Sequence, residues 1–218
     1  MKSTTKAILD DLINRYDALQ DCYHAIYQTI DLLIASYQHG HKLLVCGNGG
    51  SAADADHIVG ELMKGFLLPR TLNNNIQEQL NLMFPETAEY LITNLQAPLP
   101  AISLVGQTAL STAFSNDKAT DLLFAQQVLG YGNKGDVLIA ISTSGNSKNV
   151  IYAAQMAKFK GMKIISLTGS SGGQLKQLSD VLINAPAEET FKIQEYHLPI
   201  YHAICACVEN DFFSEKDR

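Results

Sequence analysis

Apolar residues recur at three-, four- and seven-residue steps through residues 5 to 38, at Ile8, Leu12, Leu19, Ile26, Ile30 and Leu33 among others. No proline interrupts them, and this spacing predicts helix with one buried stripe. The stripe must be covered by the same domain or by a neighbouring subunit, and the pattern leaves both open. Beyond residue 40 the period changes. Five short apolar runs (HKLLVCG, PAISLVG, DVLIAIS, MKIISLTG and DVLINAP) alternate with polar turns and helical stretches, and a helix from about Phe191 to Phe212 closes the chain. Runs that are apolar throughout, rather than at every second residue, predict strands of a parallel sheet with helices on both faces.

Residues 67 to 100, LLPRTLNNNIQEQLNLMFPETAEYLITNLQAPLP, break the alternation. The segment is amphipathic and bounded by prolines, so it reads as an inserted helical excursion at the surface or an interface, with a lid over the site as the alternative. The chain is read as one domain, 1–218, with an N-terminal helical segment over 1–38.

The length of 218 residues suits such a domain, and 46% hydrophobic against 17% charged residues excludes a disordered chain. A formal net charge of −6 argues against a nucleic-acid backbone binder, which needs a basic stripe, but leaves room for a small anion held by local groups. The cysteines Cys22, Cys46, Cys205 and Cys207 have no CxxC spacing and read as buried free thiols. The start of the chain has no apolar signal core, and no run approaches the roughly 18 apolar residues of a membrane span. A cytoplasmic protein with no membrane partner is expected.

In open parallel sheets ligands bind beyond the carboxyl ends of the strands. Two such ends carry unusual loops. GNGGS after the first strand lets the backbone approach a ligand closely at the start of a helix. STSGNS after the third places Ser142, Thr143, Ser144 and Ser147 around Gly145. Helix capping uses one or two hydroxyls; this surplus predicts a phosphate cradle built without lysine or arginine. His57 and Glu61 are four residues apart and share a helical face. KIQEYHLPIYH, near the other end, supplies Gln194, Glu195, His197 and His202. Together these are donors for a divalent metal and equally a base and an acid for proton transfer. Gln194 and His202 are about 80° out of alignment on an ideal helix, so spacing leaves their convergence open. His197 reads as a supporting or structural residue, and His24, His39, His41 and Glu195 carry no pattern that points to a role.

In order along the chain, CGNGGSAADADHIVGEL, GDVLIAISTSGNSKNVIYAA, KGMKIISLTG and KIQEYHLPIYH resemble the sugar isomerase (SIS) domain family, and its phosphoheptose isomerase branch in particular. The resemblance implies a doubly wound, flavodoxin-like domain, a homotetramer with active sites at subunit interfaces, and reversible conversion of sedoheptulose 7-phosphate to D-glycero-D-manno-heptose 7-phosphate. By motif, Ser142, Thr143, Ser144 and Ser147 would hold the phosphate. Asn48, Gly49, Gly50, Ser51 and Gln194 would line the sugar site, with Glu61 as base and His202 as acid. His57, Glu61, Gln194 and His202 would hold one zinc per subunit. Gln107 stands where the branch usually has an aspartate that contacts the sugar, which keeps another sugar phosphate open as substrate, and the excursion at 67–100 is longer than the usual link. Some SIS proteins are non-catalytic binding tetramers, one a partner of a replication initiator; these tend to lack the counterparts of Glu61 or His202, both present here.

Overall fold

Five strands, β1 (Leu43–Cys46), β2 (Ala101–Ser103), β3 (Val137–Ile141), β4 (Lys163–Thr168) and β5 (Val181–Asn184), form one wholly parallel sheet in the order β2-β1-β3-β4-β5. The structure is a computed structural model and describes residues 2–214. The order is that of a flavodoxin-like doubly wound sheet, in which the chain leaves β1 for one side and returns to the other. Successive side chains point to opposite faces. Val45, Ile139, Ile165 and Val181 stand in register on one face, while Leu44, Leu138 and Ile164 face the other way.

The first face is covered by α2 (Tyr23–Gln38), α3 (Gly50–Met63) and α9 (Thr190–Phe213), with α1 (Ser3–Arg15) packed on α9. Helices α7 (Leu123–Tyr131) and α8 (Lys148–Phe159) cover the second. The N-terminal segment is thus two helices. Tyr16 leaves the helical conformation (φ −136°, ψ 75°) and a 3-10 turn, Asp17–Cys22, follows it. An unbroken helix over residues 5–38 would run about 50 Å, too long to keep its stripe on this core; the bend brings Leu9, Leu12, Leu19, Ile26 and Ile30 to zero exposure within their own domain. All four cysteines are buried and free, and burial pushes the Cys46 thiol up to about 12, which removes it as a nucleophile. No described helix is long and apolar enough to cross a membrane.

The excursion at 67–100 holds α4 (Asn74–Met83), capped by the Asn73 side chain on the Ile76 N–H (2.9 Å), and α5 (Ala88–Asn94), which packs against it. Its ends meet where Ala97 N–H donates to the Arg70 carbonyl (2.9 Å) and Leu99 N–H to that of Leu62 (3.0 Å). Leu82, Met83 and Tyr90 are mostly exposed, and residues 71–96 line neither cavity described below. Helix α6 (Thr108–Asp117) follows β2 and buries no residue.

His197 is fully buried in α9, with Nε2 3.3 Å from the Thr168 carbonyl and Nδ1 without a partner. Burial lowers its pKa to about 4, so it is neutral in the folded protein. Between that value and its ordinary 6.5 the unfolded chain binds the extra proton, so His197 makes stability rise with pH across this window and fall on acidification. The raised carboxyl of Asp54 acts in the opposite sense over a similar range but is common to a variant at position 197. The unfolding free energy of wild type minus that of His197→Gln should therefore grow by about 3 kcal/mol from pH 4 to pH 7. Denaturant titrations of both proteins check this; a pH-independent difference would mean that the buried ring takes up a proton freely.

Candidate active site

The loops after β1 and β3, neighbouring strands at the switch point of the sheet, come together around an open cavity of about 300 Å³. Gly49 precedes α3 with φ +57°, a conformation that suits glycine, and no side chain caps that helix. Gly50 lets the Gln194 amide come close, for a Cβ there would lie 2.5 Å from Nε2. Asn48 and Asn149 exchange side-chain hydrogen bonds of 2.9 and 2.8 Å, tying the first loop to the start of α8. Asn48, Gly49, Gly50 and Ser51 border the cavity from one side, and Ser142, Thr143 and Ser147 from the other. Ser142 Oγ donates to Ser147 Oγ at 3.1 Å, and neither caps α8. Those hydroxyls stand at the N-terminus of α8, a polar cradle of the kind that can take an anion. Ser144 sits differently. Its Oγ accepts the Asn146 N–H (3.2 Å) and it borders the adjoining cavity, which it shares with Thr143.

A second group lies farther along α3 and α9. His57 Nε2 is 3.2 Å from Glu61 Oε1 and 3.4 Å from His202 Nε2. Glu61 keeps only 13% of its side chain exposed and also meets Lys64 Nζ at 3.4 Å. His202 is held below the ordinary histidine range, by desolvation first and His57 second, with Glu61 pulling the other way. Its ring packs on Phe66, with centroids 5.5 Å apart, at one end of a mainly apolar groove of about 550 Å³ between α1, α9 and residues 66–67.

Two residues here carry no motif signal. The Tyr201 hydroxyl lies 2.9 Å from His57 Nδ1, and Asp54, whose carboxyl burial raises to about 6, keeps its Oδ2 buried without a partner. The Tyr201 contact orients the His57 ring so that Nε2 faces Glu61 and His202. Asp54 precedes His57 by three residues and so shares its helix face, a signal legible in the spacing. Nothing in the spacing marks Tyr201.

The structure therefore brings His57, Glu61 and His202 together, and separately brings Gln194 to the anion cradle. Gln107, at the N-terminus of α6 beyond the edge strand β2, lines neither cavity. His39 and His41 stack on one another with centroids 6.5 Å apart, and His41 lies 3.8 Å from Asp136 at the opposite end of the sheet. Among the described residues no group of three or more His, Cys, Asp or Glu is gathered as a metal cluster. The 3.4 Å between the two imidazole nitrogens nevertheless equals the edge of a zinc tetrahedron with bonds of about 2.0–2.1 Å, so this pair fits the ion.

The SIS domain family matches residues 9–80 and 82–169 of this chain. A phosphoheptose isomerase of Helicobacter pylori (strain P12) is 38% identical over 94% of this chain and 98% of its own length. One from Aneurinibacillus thermoaerophilus is 37% identical over 99% and 98%. Among solved structures, phosphoheptose isomerase GmhA from Neisseria gonorrhoeae superposes with a TM-score of 0.72 at 33% identity, over 94% of this chain and 96% of that one.

Proposed function

The chain belongs to the SIS domain family and, within it, to the phosphoheptose isomerases, and on that premise we propose how its residues interconvert sedoheptulose 7-phosphate and D-glycero-D-manno-heptose 7-phosphate. It is an aldose–ketose isomerase. The observation that carries the mechanism is the meeting of Glu61 and His202 around His57, set back from the hydroxyl cradle along the same two helices. Gly50 lies against Gln194 at one end of the α3–α9 pair, and His57 against Tyr201 and His202 at the other. Those ends are seven residues apart on α3 and eight on α9, or about 10–12 Å. That is close to the span of an extended heptose from its terminal phosphate to C1 and C2.

With the phosphate on Ser142, Thr143 and Ser147, and with Asn48, Gly49, Gly50, Ser51 and Gln194 along the sugar, Glu61 takes a proton from C1 of the ketose. The electron pair of that C–H bond becomes the C1–C2 double bond, and the carbonyl pair moves to O2, giving the enediolate. Glu61 returns the proton to C2 while His202 carries the hydroxyl proton from O1 to O2, and the aldose results with no net gain or loss of protons. His57, Glu61 and His202 would hold a zinc ion, supported by the 3.4 Å between the two imidazole nitrogens with Glu61 beside them, whereas Gln194, at the cradle end of the helix pair, stands too far along to share it. Bound there, zinc would polarise the C1 and C2 oxygens.

Incubating the purified protein with sedoheptulose 7-phosphate should yield the aldose, seen by NMR; an inert wild type would defeat the reading. Elemental analysis should return one zinc per subunit, and chelation should reduce the rate. An active, metal-free protein indifferent to chelator would remove zinc from the mechanism. The open groove beside His202, with exposed Leu67 and Leu198 along it, supports assembly as a homotetramer whose active sites lie at subunit boundaries. Light scattering tests that assembly.

A further inference from the structure

We propose that the buried ion pair Arg70–Glu209 is a positioning device for the catalytic carboxylate, setting the backbone of Glu61 and the Phe66 ring that bears on His202. This rests on Glu61 being the base, and it concerns residues that no part of that chemistry touches.

Glu61 lies in the last turn of α3, where main-chain carbonyls lack partners within the helix. Arg70 supplies one to Glu61 and shares the Leu62 carbonyl with the Leu99 N–H. Its Nη2 donates to the Glu61 carbonyl at 3.0 Å and its Nη1 to the Leu62 carbonyl at 2.6 Å. Its Nε donates to Glu209 Oε1 at 2.8 Å, and its guanidinium lies 4.9 Å from the centre of the Phe213 ring. Glu209 uses its remaining capacity on the chain leaving α3: Oε1 accepts the Phe66 N–H (2.7 Å), and Oε2 accepts those of Leu67 (2.7 Å) and Leu68 (3.1 Å). Neither side chain of the pair has any exposure. Glu209 follows His202 by seven residues on α9, two turns along one helix. The helix that carries the proposed acid therefore also carries the clamp on the helix end that carries the base.

Burying two full charges is costly, and an apolar pair of similar volume often serves stability as well or better. Apolar side chains cannot satisfy five main-chain groups in a fixed arrangement, and this pair does. The groups it fixes are the backbone of Glu61 and the residue whose ring rests against His202, while the anion cradle lies at the other end of α3 and is untouched. Loss of the pair should thus move the proton-transfer groups and leave phosphate binding in place.

Arg70→Lys keeps a cation but not the planar fork that spans both carbonyls, and Glu209→Gln keeps an acceptor but not the charge. Assayed well below its melting temperature, each variant should lose roughly 10- to 100-fold in kcat, the scale of an ångström-sized misplacement, with KM changed by less than about threefold. Substrate deuterated at the transferred position should show its primary isotope effect in full, because proton abstraction becomes the slow step. Ile30→Ala, a fully buried position in α2 away from both groups, serves as the control: it should lower the melting temperature yet keep wild-type kcat. If Arg70→Lys does not fold, Glu209→Gln carries the test. Turnover within threefold of wild type in the variants, or an equal kcat loss in Ile30→Ala for an equal drop in melting temperature, would overturn the proposal. An inert wild type, or undiminished turnover in Glu61→Gln, would instead defeat the assignment of the base.

Discussion

Glu61→Gln is expected to slow conversion of sedoheptulose 7-phosphate by about 100- to 10,000-fold, the usual contribution of a positioned general base. The substitution is nearly isosteric, and among the described residues the carboxylate it replaces pairs with His57 and Lys64, both substantially exposed, so the fold and melting temperature should hardly change. The lost properties are basicity and the anionic charge that would help hold zinc, so metal content is measured on the same samples. A neutral amide cannot take the proton from C1, whatever its geometry. Because the hydroxyl cradle sits at the opposite end of α3, KM should move far less than kcat, the mark of an interaction realised in the transition state. Steady-state kinetics followed by NMR, with a thermal melt of each protein, separates these outcomes. Undiminished turnover would remove Glu61 as base.

Most of the fold was legible in the residues because parallel strands buried on both faces leave continuous apolar runs, and KLLVC, DVLIAIS and MKIISLT have few other readings. The bend at Tyr16 was not legible. No proline or glycine marks it, and it follows from the size of the core that the stripe must wrap. That Ser142, Thr143 and Ser147 border one cavity could be read because they are crowded into six consecutive residues. The meeting of His57, Glu61 and His202 could be read only halfway: an i,i+4 pair declares itself on one helix, whereas its partner depends on how α3 lies along α9. Tyr201 and the Arg70–Glu209 pair were invisible to pattern because their partners are 139 or more residues away in the chain. Gln194 shows the limit of helical arithmetic. Its angular offset from His202 corresponds to a different neighbourhood, against Gly50, and both ends of that helix pair serve one ligand if the substrate lies extended between them.

His202→Ala should cost turnover on the same scale as loss of the base, about 100- to 10,000-fold, for a different reason. The enediolate can form without it, but the hydroxyl proton then has no carrier between O1 and O2, and the oxyanion has no donor. An imidazole suits this task because it can give and take a proton near neutrality, and desolvation beside His57 keeps His202 mainly neutral at pH 7. The variant leaves the Glu61–His57 contact and the cradle in place, so exchange of the C1 proton with solvent deuterium should survive better than net isomerisation. That inequality separates the two roles: Glu61→Gln should suppress exchange and isomerisation together, whereas His202→Ala should uncouple them. Metal content measured on the same samples tells ligation from proton transfer. If activity returns to His202→Ala when zinc is restored to wild-type occupancy, the imidazole is a ligand only. If full occupancy leaves the rate low and exchange continues, the ring carries the proton between the two oxygens.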